Sequence, residues 1–203
     1  MKRFVLVASL MLALCLQAVA QEPARFSHQL QIGAGVAHLG GADHENGLAV
    51  SIGYGLDIRL TEHLSVMPSV DCRLTSGSLL HGGMAGGFDA DFSFLDCGVA
   101  LCYHCLLCDK PVTFGVGPYW AHALSRDEYY IDSDPFSPLN GCPKIRPDGF
   151  GLMPSGQVQL SRHFALGVTA HIGLTDMAEY YSCASFIEAW RISSLQLQAC
   201  FCF

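Results

Sequence analysis

Charge is what this sequence has least of. Aspartate, glutamate, lysine and arginine make up 14% of the 203 residues, against the roughly 25% usual in soluble domains. Basic residues are the rarer sign, 11 against 18 acidic. Binding to a phosphate backbone needs a basic face, so nucleic acid is excluded as a partner. Past residue 20 no apolar run approaches the ~20 residues of a spanning helix. Yet 51% of the residues are hydrophobic and the mean hydropathy is positive. Two classes remain: a deeply buried soluble β-protein, or a barrel whose outer face meets lipid.

The first twenty residues are read separately. Lys2 and Arg3 precede an apolar run over 4–16, followed by Gln17-Ala18-Val19-Ala20. A basic head, a short apolar segment and an Ala-x-Ala ending predict a secretory signal peptide over 1–20, cleaved before Gln21. Leu14 stands before Cys15 where a lipobox has a small residue, so lipidation is the weaker reading. Without Lys2 and Arg3 the mature domain, 21–203, keeps nine basic residues against 18 acidic. A membrane barrel tolerates that balance, because it inserts through its apolar belt.

What the sequence does have is alternation. From 48 to 60 one face reads Leu48, Val50, Ile52, Tyr54, Leu56, Ile58, Leu60, and the other Ala49, Ser51, Gly53, Gly55, Asp57, Arg59. Successive side chains of a strand point to opposite faces, so this strand has one apolar face. Its length exceeds the ~5–6 residues of ordinary strands and meets the roughly 9–11 of a tilted membrane strand. The pattern recurs near 27–38, 64–74, 112–124, 150–160 and 164–174. Each time the apolar face is predicted to point outward and the small or charged face inward. An outward cation at mid-bilayer costs ~2–4 kcal/mol, which enforces this sorting. Two segments lose phase. Phe92 and Phe94 share a face with Asp96, and Trp190 and Ile192 give way to Leu195 and Leu197. A β-bulge, one extra residue that swaps faces, is expected near Phe94-Leu95 and near Ser193-Ser194. Pro68, Pro118 and Pro154 fall inside strands and are expected to mark bulges or strand ends.

The connections, 39–47, 61–63, 75–89, 105–111, 125–148, 161–163 and 175–187, alternate long and short. That is the rhythm of an eight-stranded antiparallel up-and-down transmembrane barrel with short periplasmic turns and longer extracellular loops. Aromatics fall near strand ends. Tyr103, Phe114, Phe164, Phe201 and Phe203 lie toward the short turns, and Phe92, Trp120, Phe150 and Trp190 toward the long loops, as two interfacial girdles would.

The last strand, Leu195 to Phe203, alternates and stops on phenylalanine. With Gly115-Val116-Gly117-Pro118-Tyr119 and the glycine-rich opening strand, the mature chain resembles the small outer-membrane β-barrel domain (porin family, OmpA/OmpX-like). That resemblance implies the bacterial outer membrane, contact with its lipid and its assembly machinery, and Phe201 and Phe203 as an insertion signal. It implies mixed functions, from adhesion to envelope integrity, and assigns no catalytic residue.

Candidate chemistry is sparse, and the sequence predicts no enzyme, cofactor or metal site. Cys102-x-x-Cys105-x-x-Cys108, with His104, has metal-like spacing, but strand residues alternate in direction and convergence would need a sharp bend. Of the nine mature cysteines, Cys142 and Cys183, both in long loops of one side, are the expected disulfide in an oxidising compartment. A barrel hydrolase needs serine, histidine and carboxylate on one face. His171 has Gly173 two residues on, His122 and Ser125 have opposite phase, and Ser161-Arg162-His163 lies in a short turn. Asp57, Arg59, Asp71, Arg73, Gln157, Gln159 and His171, with Gln196 and Gln198, are predicted to form a polar network inside the lumen. Eight strands enclose only enough room for side chains, so a plugged structural or surface-interaction barrel is the leading reading. A narrow-pore porin-like barrel passing small solutes and a secreted soluble disulfide-rich β-protein are the alternatives. The segment 125–148, with Tyr129, Tyr130 and several acidic residues and prolines, is the predicted contact for an extracellular protein or glycan.

Overall fold

In the computed structural model, residues 26–39, 46–80, 86–132, 144–179 and 191–203 are described. The signal segment therefore lies outside the described residues. Ten strands occur in chain order: β1 (Phe26–Leu39), β2 (Asn46–Arg59), β3 (Leu64–Leu80), β4 (Gly86–Leu107), β5 (Lys110–Asp132), β6 (Lys144–Ile145), β7 (Asp148–Ser161), β8 (Phe164–Gly173), β9 (Ala178–Glu179) and β10 (Ile192–Cys202). Eight of them close a barrel in which every strand pairs with its neighbours in sequence, and β10 returns to β1. The closing seam is antiparallel, with Leu30 opposite Phe201 and Val36 opposite Leu195. The two-residue strands β6 and β9 pair with each other outside the barrel.

Closure removes every sheet edge, and the alternation of the sequence becomes the wall. In β1, β2, β3, β8 and β10, and in β7 as far as Met153, the aliphatic face is the more exposed and the opposite face the more buried; from Pro154 to Gln159 both faces of β7 are half-buried. Ile52 is 54% and Leu197 72% exposed, while Arg73 and His171, on inward faces, are 1% exposed. A soluble protein of this size would bury such residues. Exposed Phe26, Tyr54, Tyr103, Phe114, Phe164, Phe201 and Phe203 gather toward the short-turn end, as expected. Three histidines join them: His28 stacks on Phe203, His163 on Phe201, and His63 leans on Tyr103. On the long-loop side Phe150 is exposed and Trp120 half-buried, whereas Trp190 lies outside the described residues.

The structure corrects the phase of β4. Alternation there is unbroken from Phe92 to His104, and Phe92 and Phe94 point inward with Asp96. No face swap occurs. A register shift does fall between Ser93 and Phe94, but the extra residue is Leu124 on the facing strand β5. β10 runs without a bulge, Ser193 and Ser194 pairing regularly with His38 and Ala37. Both misassignments have one cause: apolar residues in these segments face an apolar part of the lumen. A second shift, at Leu160, accompanies the Arg162-His163 turn.

The prolines sit inside strands. Pro68 pairs with Val99 on β4, but two consecutive pairs with β2 are missing between Gly55–Ser69 and Ile58–Val66. Pro118 pairs with Leu152 and lacks its β4 pairs. Pro154 pairs with Val116 and lacks its β8 pairs. Each proline, with no N–H to give, opens one ladder and leaves the other intact. Beside Pro118 the backbones close in: a Cβ on Gly117 would fall onto the Val99 carbonyl oxygen and lie 2.7 Å from the Ala100 Cα. Glycine is required there by space, which accounts for the Gly-x-Gly-Pro-Tyr segment.

The connections also differ from expectation. β3, β4 and β5 continue pairing to Leu80, Gly86 and Asp132, so strands occupy much of the segments 75–89 and 125–148. Beyond the apolar belt no bilayer enforces alternation, and the backbone ladder continues without that signature. The short β4–β5 connection is only Cys108-Asp109, both at positive φ (48° and 61°), the geometry of a type I′ hairpin turn.

Candidate functional site

The strands together enclose a lumen, and it is layered. Along β4, read from the long-loop end, the inward residues are Phe92 and Phe94, then Asp96, Gly98, Ala100, Cys102 and His104. Each heads a layer.

The uppermost layer is apolar. Phe92, Phe94, Tyr119, Ala121, Ala123, Met153 and Ile192 pack together, and Met177, from the segment after β8, closes over them. The next layer is charged. Arg73 Nε donates to Asp96 Oδ2 at 2.6 Å and its Nη2 to Oδ1 at 3.3 Å. Both side chains are 2% exposed, and the guanidinium lies 4.9 Å from the Phe94 ring centre. Asp71 stands directly opposite Asp96 across the β3–β4 pair. Its carboxylate occupies the space left by Gly53, where a Cβ would overlap it. This layer thus holds two carboxylates on directly opposed residues and one guanidinium, which is bonded to Asp96. Below it, Ser51 Oγ donates to Gln196 Oε1 at 2.6 Å and Thr169 Oγ1 to Gln198 Oε1 at 2.7 Å. Met67, Ala100 and Cys102 form a small apolar layer beneath.

One constellation was invisible in the sequence. Ser194 pairs with His171 across β8 and β10, and its Oγ lies 3.4 Å from His171 Nδ1. His171 Nε2 lies 3.9 Å from Asp96 Oδ2. Serine, histidine and aspartate are therefore aligned, through a register no single strand reveals. They are 5%, 1% and 1% exposed, Asp96 is engaged by Arg73, and the Tyr119 ring meets the imidazole edge-on at 5.2 Å. None of the three lines the lumen cavity. Among the described residues the arrangement is a buried polar cluster within the plug.

At the short-turn end the lumen opens into a cavity of about 290 Å³. Asp57, Arg59, Gln157 and Gln159, four of the predicted network residues, line it with His104, Arg162 and His163. The predicted network is therefore split in two: Asp71, Arg73 and His171, with Gln196 and Gln198 in the layer below them, are buried in the plug, and the remaining four lie at the mouth. His104 is fixed at both ring nitrogens, by Ser65 Oγ at 2.7 Å and Thr113 Oγ1 at 2.8 Å. Asp57 Oδ2 accepts Arg59 Nε at 3.1 Å. Gln29 donates to Cys202 Sγ at 3.6 Å.

The three spaced cysteines diverge. Cys102 is buried in the lumen, Cys105 is half-buried on the outer side, and Cys108 is exposed in the turn. No metal-holding cluster of histidine, cysteine and carboxylate occurs among the described residues. Cys142 and Cys183 lie outside the described residues, as does 133–143, the centre of the predicted contact segment. Phe201 and Phe203 point outward at the end of the chain, 51% and 62% exposed.

No protein-family model and no curated protein matches the sequence. Among solved structures the chain is similar to the outer membrane protein OprG from Pseudomonas aeruginosa, at 12% identity over 88% of this chain and 95% of that one, with a TM-score of 0.50. Neisserial surface protein A matches at 12% identity over 86% and 96%, TM-score 0.49. The outer membrane enzyme PagL matches at 12% over 85% and 97%, TM-score 0.49. At such identities the likeness to OprG speaks for the fold alone, and the fold is that of a small outer-membrane β-barrel.

Proposed function

We propose that this chain is a bacterial outer-membrane barrel with a structural or surface-interaction role, its lumen closed by its own side chains. The single observation that carries this reading is the double plug. An apolar layer headed by Phe92 and Phe94 lies directly on the Arg73–Asp96 ion pair, so the cross-section is filled twice. The belt of exposed leucine, valine and isoleucine supports placement in a bilayer and speaks against the secreted soluble alternative. Activity then belongs to what the long-loop end presents, with protein or glycan as partner, and Phe201 and Phe203 serve recognition by the assembly machinery. A role without catalysis is supported by the burial of the aligned Ser194, His171 and Asp96 among the described residues and by the engagement of Asp96 with Arg73.

A narrow-pore role is the second reading. It is favoured by Arg73 Nη1, His171 Nε2 and Gln196 Nε2, which are buried without hydrogen-bond partners among the described residues; such groups accept water. Planar-bilayer recording of refolded protein separates the two. The plugged barrel gives no steady conductance, and a reproducible single-channel step contradicts it.

A further inference from the structure

We infer that the short-turn mouth of the lumen binds a small zwitterion, a phosphate or carboxylate joined to an amine. This goes beyond the surface role proposed above and does not depend on what the long-loop end contacts. The cavity of about 290 Å³ is of head-group or metabolite size, at the small end of ligand pockets. Its charged lining is Asp57, Arg59 and Arg162, with His104 and His163. Among these side chains two guanidinium groups, Arg59 and Arg162, stand against one carboxylate, Asp57, in a chain of formal charge −7.

Two observations specify the ligand. Asp57 is 6% exposed, and its Oδ1 has no hydrogen-bond partner among the described residues. His104 Nε2 is 3.8 Å away and already bonded to Ser65. A buried carboxylate oxygen lacking a donor is satisfied by an incoming N–H, most strongly by an ammonium. On the opposite sign, Arg59 uses only its Nε on Asp57, and Arg162 makes no ion pair among the described residues. Two forked donors in one cavity suit a phosphate or carboxylate. Amine toward Asp57 and anion toward the arginines is the arrangement the lining selects. Phe26 and Phe203 line the cavity and are also exposed on the outer wall. The rim therefore meets the interfacial girdle, and either a free solute or a phospholipid head group can supply this chemistry.

The test uses the full mature chain refolded in a maltoside detergent, which carries neither phosphate nor amine. O-phosphoethanolamine and inorganic phosphate are titrated calorimetrically. The lipid arm places the barrel in nanodiscs of phosphatidylglycerol with or without phosphatidylethanolamine and counts retained lipids by native mass spectrometry. Saturable binding of phosphoethanolamine in detergent assigns a soluble ligand; selective retention of phosphatidylethanolamine assigns the head group. Asp57→Asn weakens the amine-bearing ligand about tenfold and leaves inorganic phosphate unchanged. Arg162→Gln, in an exposed turn, weakens both about tenfold. No binding in either arm, or binding that both folded variants retain undiminished, overturns the inference.

Discussion

Removing Arg73 separates a plug held by charge compensation from one held by packing alone. The guanidinium makes two bonds to Asp96, at 2.6 and 3.3 Å, with both partners 2% exposed. Asp71 faces Asp96 directly and sits two residues from Arg73 on the same inward face. Arg73→Gln therefore leaves two apposed carboxylates with no cation. Breaking a buried pair this way costs about 3–5 kcal/mol. Asp96→Asn leaves one carboxylate and one guanidinium, and loses chiefly the charge on a hydrogen bond, about 1.5–3 kcal/mol. The two variants remove the same ion pair, so the difference between them reads the Asp71–Asp96 repulsion together with the Arg73–Asp71 attraction that Asp96→Asn keeps. Urea titration of refolded protein, followed by tryptophan fluorescence and by the mobility shift of unboiled samples, reads it out. Arg73→Gln is the more destabilised by roughly 2 kcal/mol, and lowering the pH to about 3, below the ordinary aspartate range, narrows the gap. Equal losses, or a larger loss for Asp96→Asn, refute the reasoning.

Three further outcomes are expected. Gly117→Ala, whose Cβ meets the backbone of Val99 and Ala100, prevents the folded-mobility band; Gly156→Ala, with its nearest contact 3.6 Å away on Phe114, does not. Ile52→Arg, a cation placed on the exposed belt, costs about 2–4 kcal/mol of stability in vesicles, while Ile52→Leu stays within about 1 kcal/mol; equal stability of the two would remove lipid from that face. Cys108, exposed in the turn, reacts with a water-soluble maleimide on the folded barrel, whereas Cys102 and Cys200, buried in the lumen, react only after denaturation; mass mapping of labelled peptides checks this.

Legibility followed the physics of the wall. Where a strand crosses lipid, the solvent sorts its side chains, so Leu48 to Ile58 or Phe164 to Ile172 declare both strand and direction. Inside, no such rule holds. Phe92 and Phe94 are as apolar as the belt but pack against Tyr119 and Met153, and treating apolar as outward put them on the wrong face. Outside the bilayer the sorting lapses too, which hid the continuation of β3, β4 and β5. The candidate sites depend on register, the least local property of all. Ser194 meets His171 only because β10 pairs with β8 in one phase, and Asp57 and Arg162 share a cavity although they lie on different parts of the wall. The polar inventory of the lumen could be read from single strands, but its division into a plug and a mouth could not.

The account rests on which face of each strand meets hydrocarbon. Tryptophan placed in turn at positions 50, 51, 52 and 53 of β2, in a background with Trp120→Phe and Trp190→Phe, reports this directly in bilayers of lipid brominated along the acyl chain. Strong quenching at 50 and 52 and weak quenching at 51 and 53 is the predicted result. Quenching that fails to alternate, or that is stronger at 51 and 53, contradicts it.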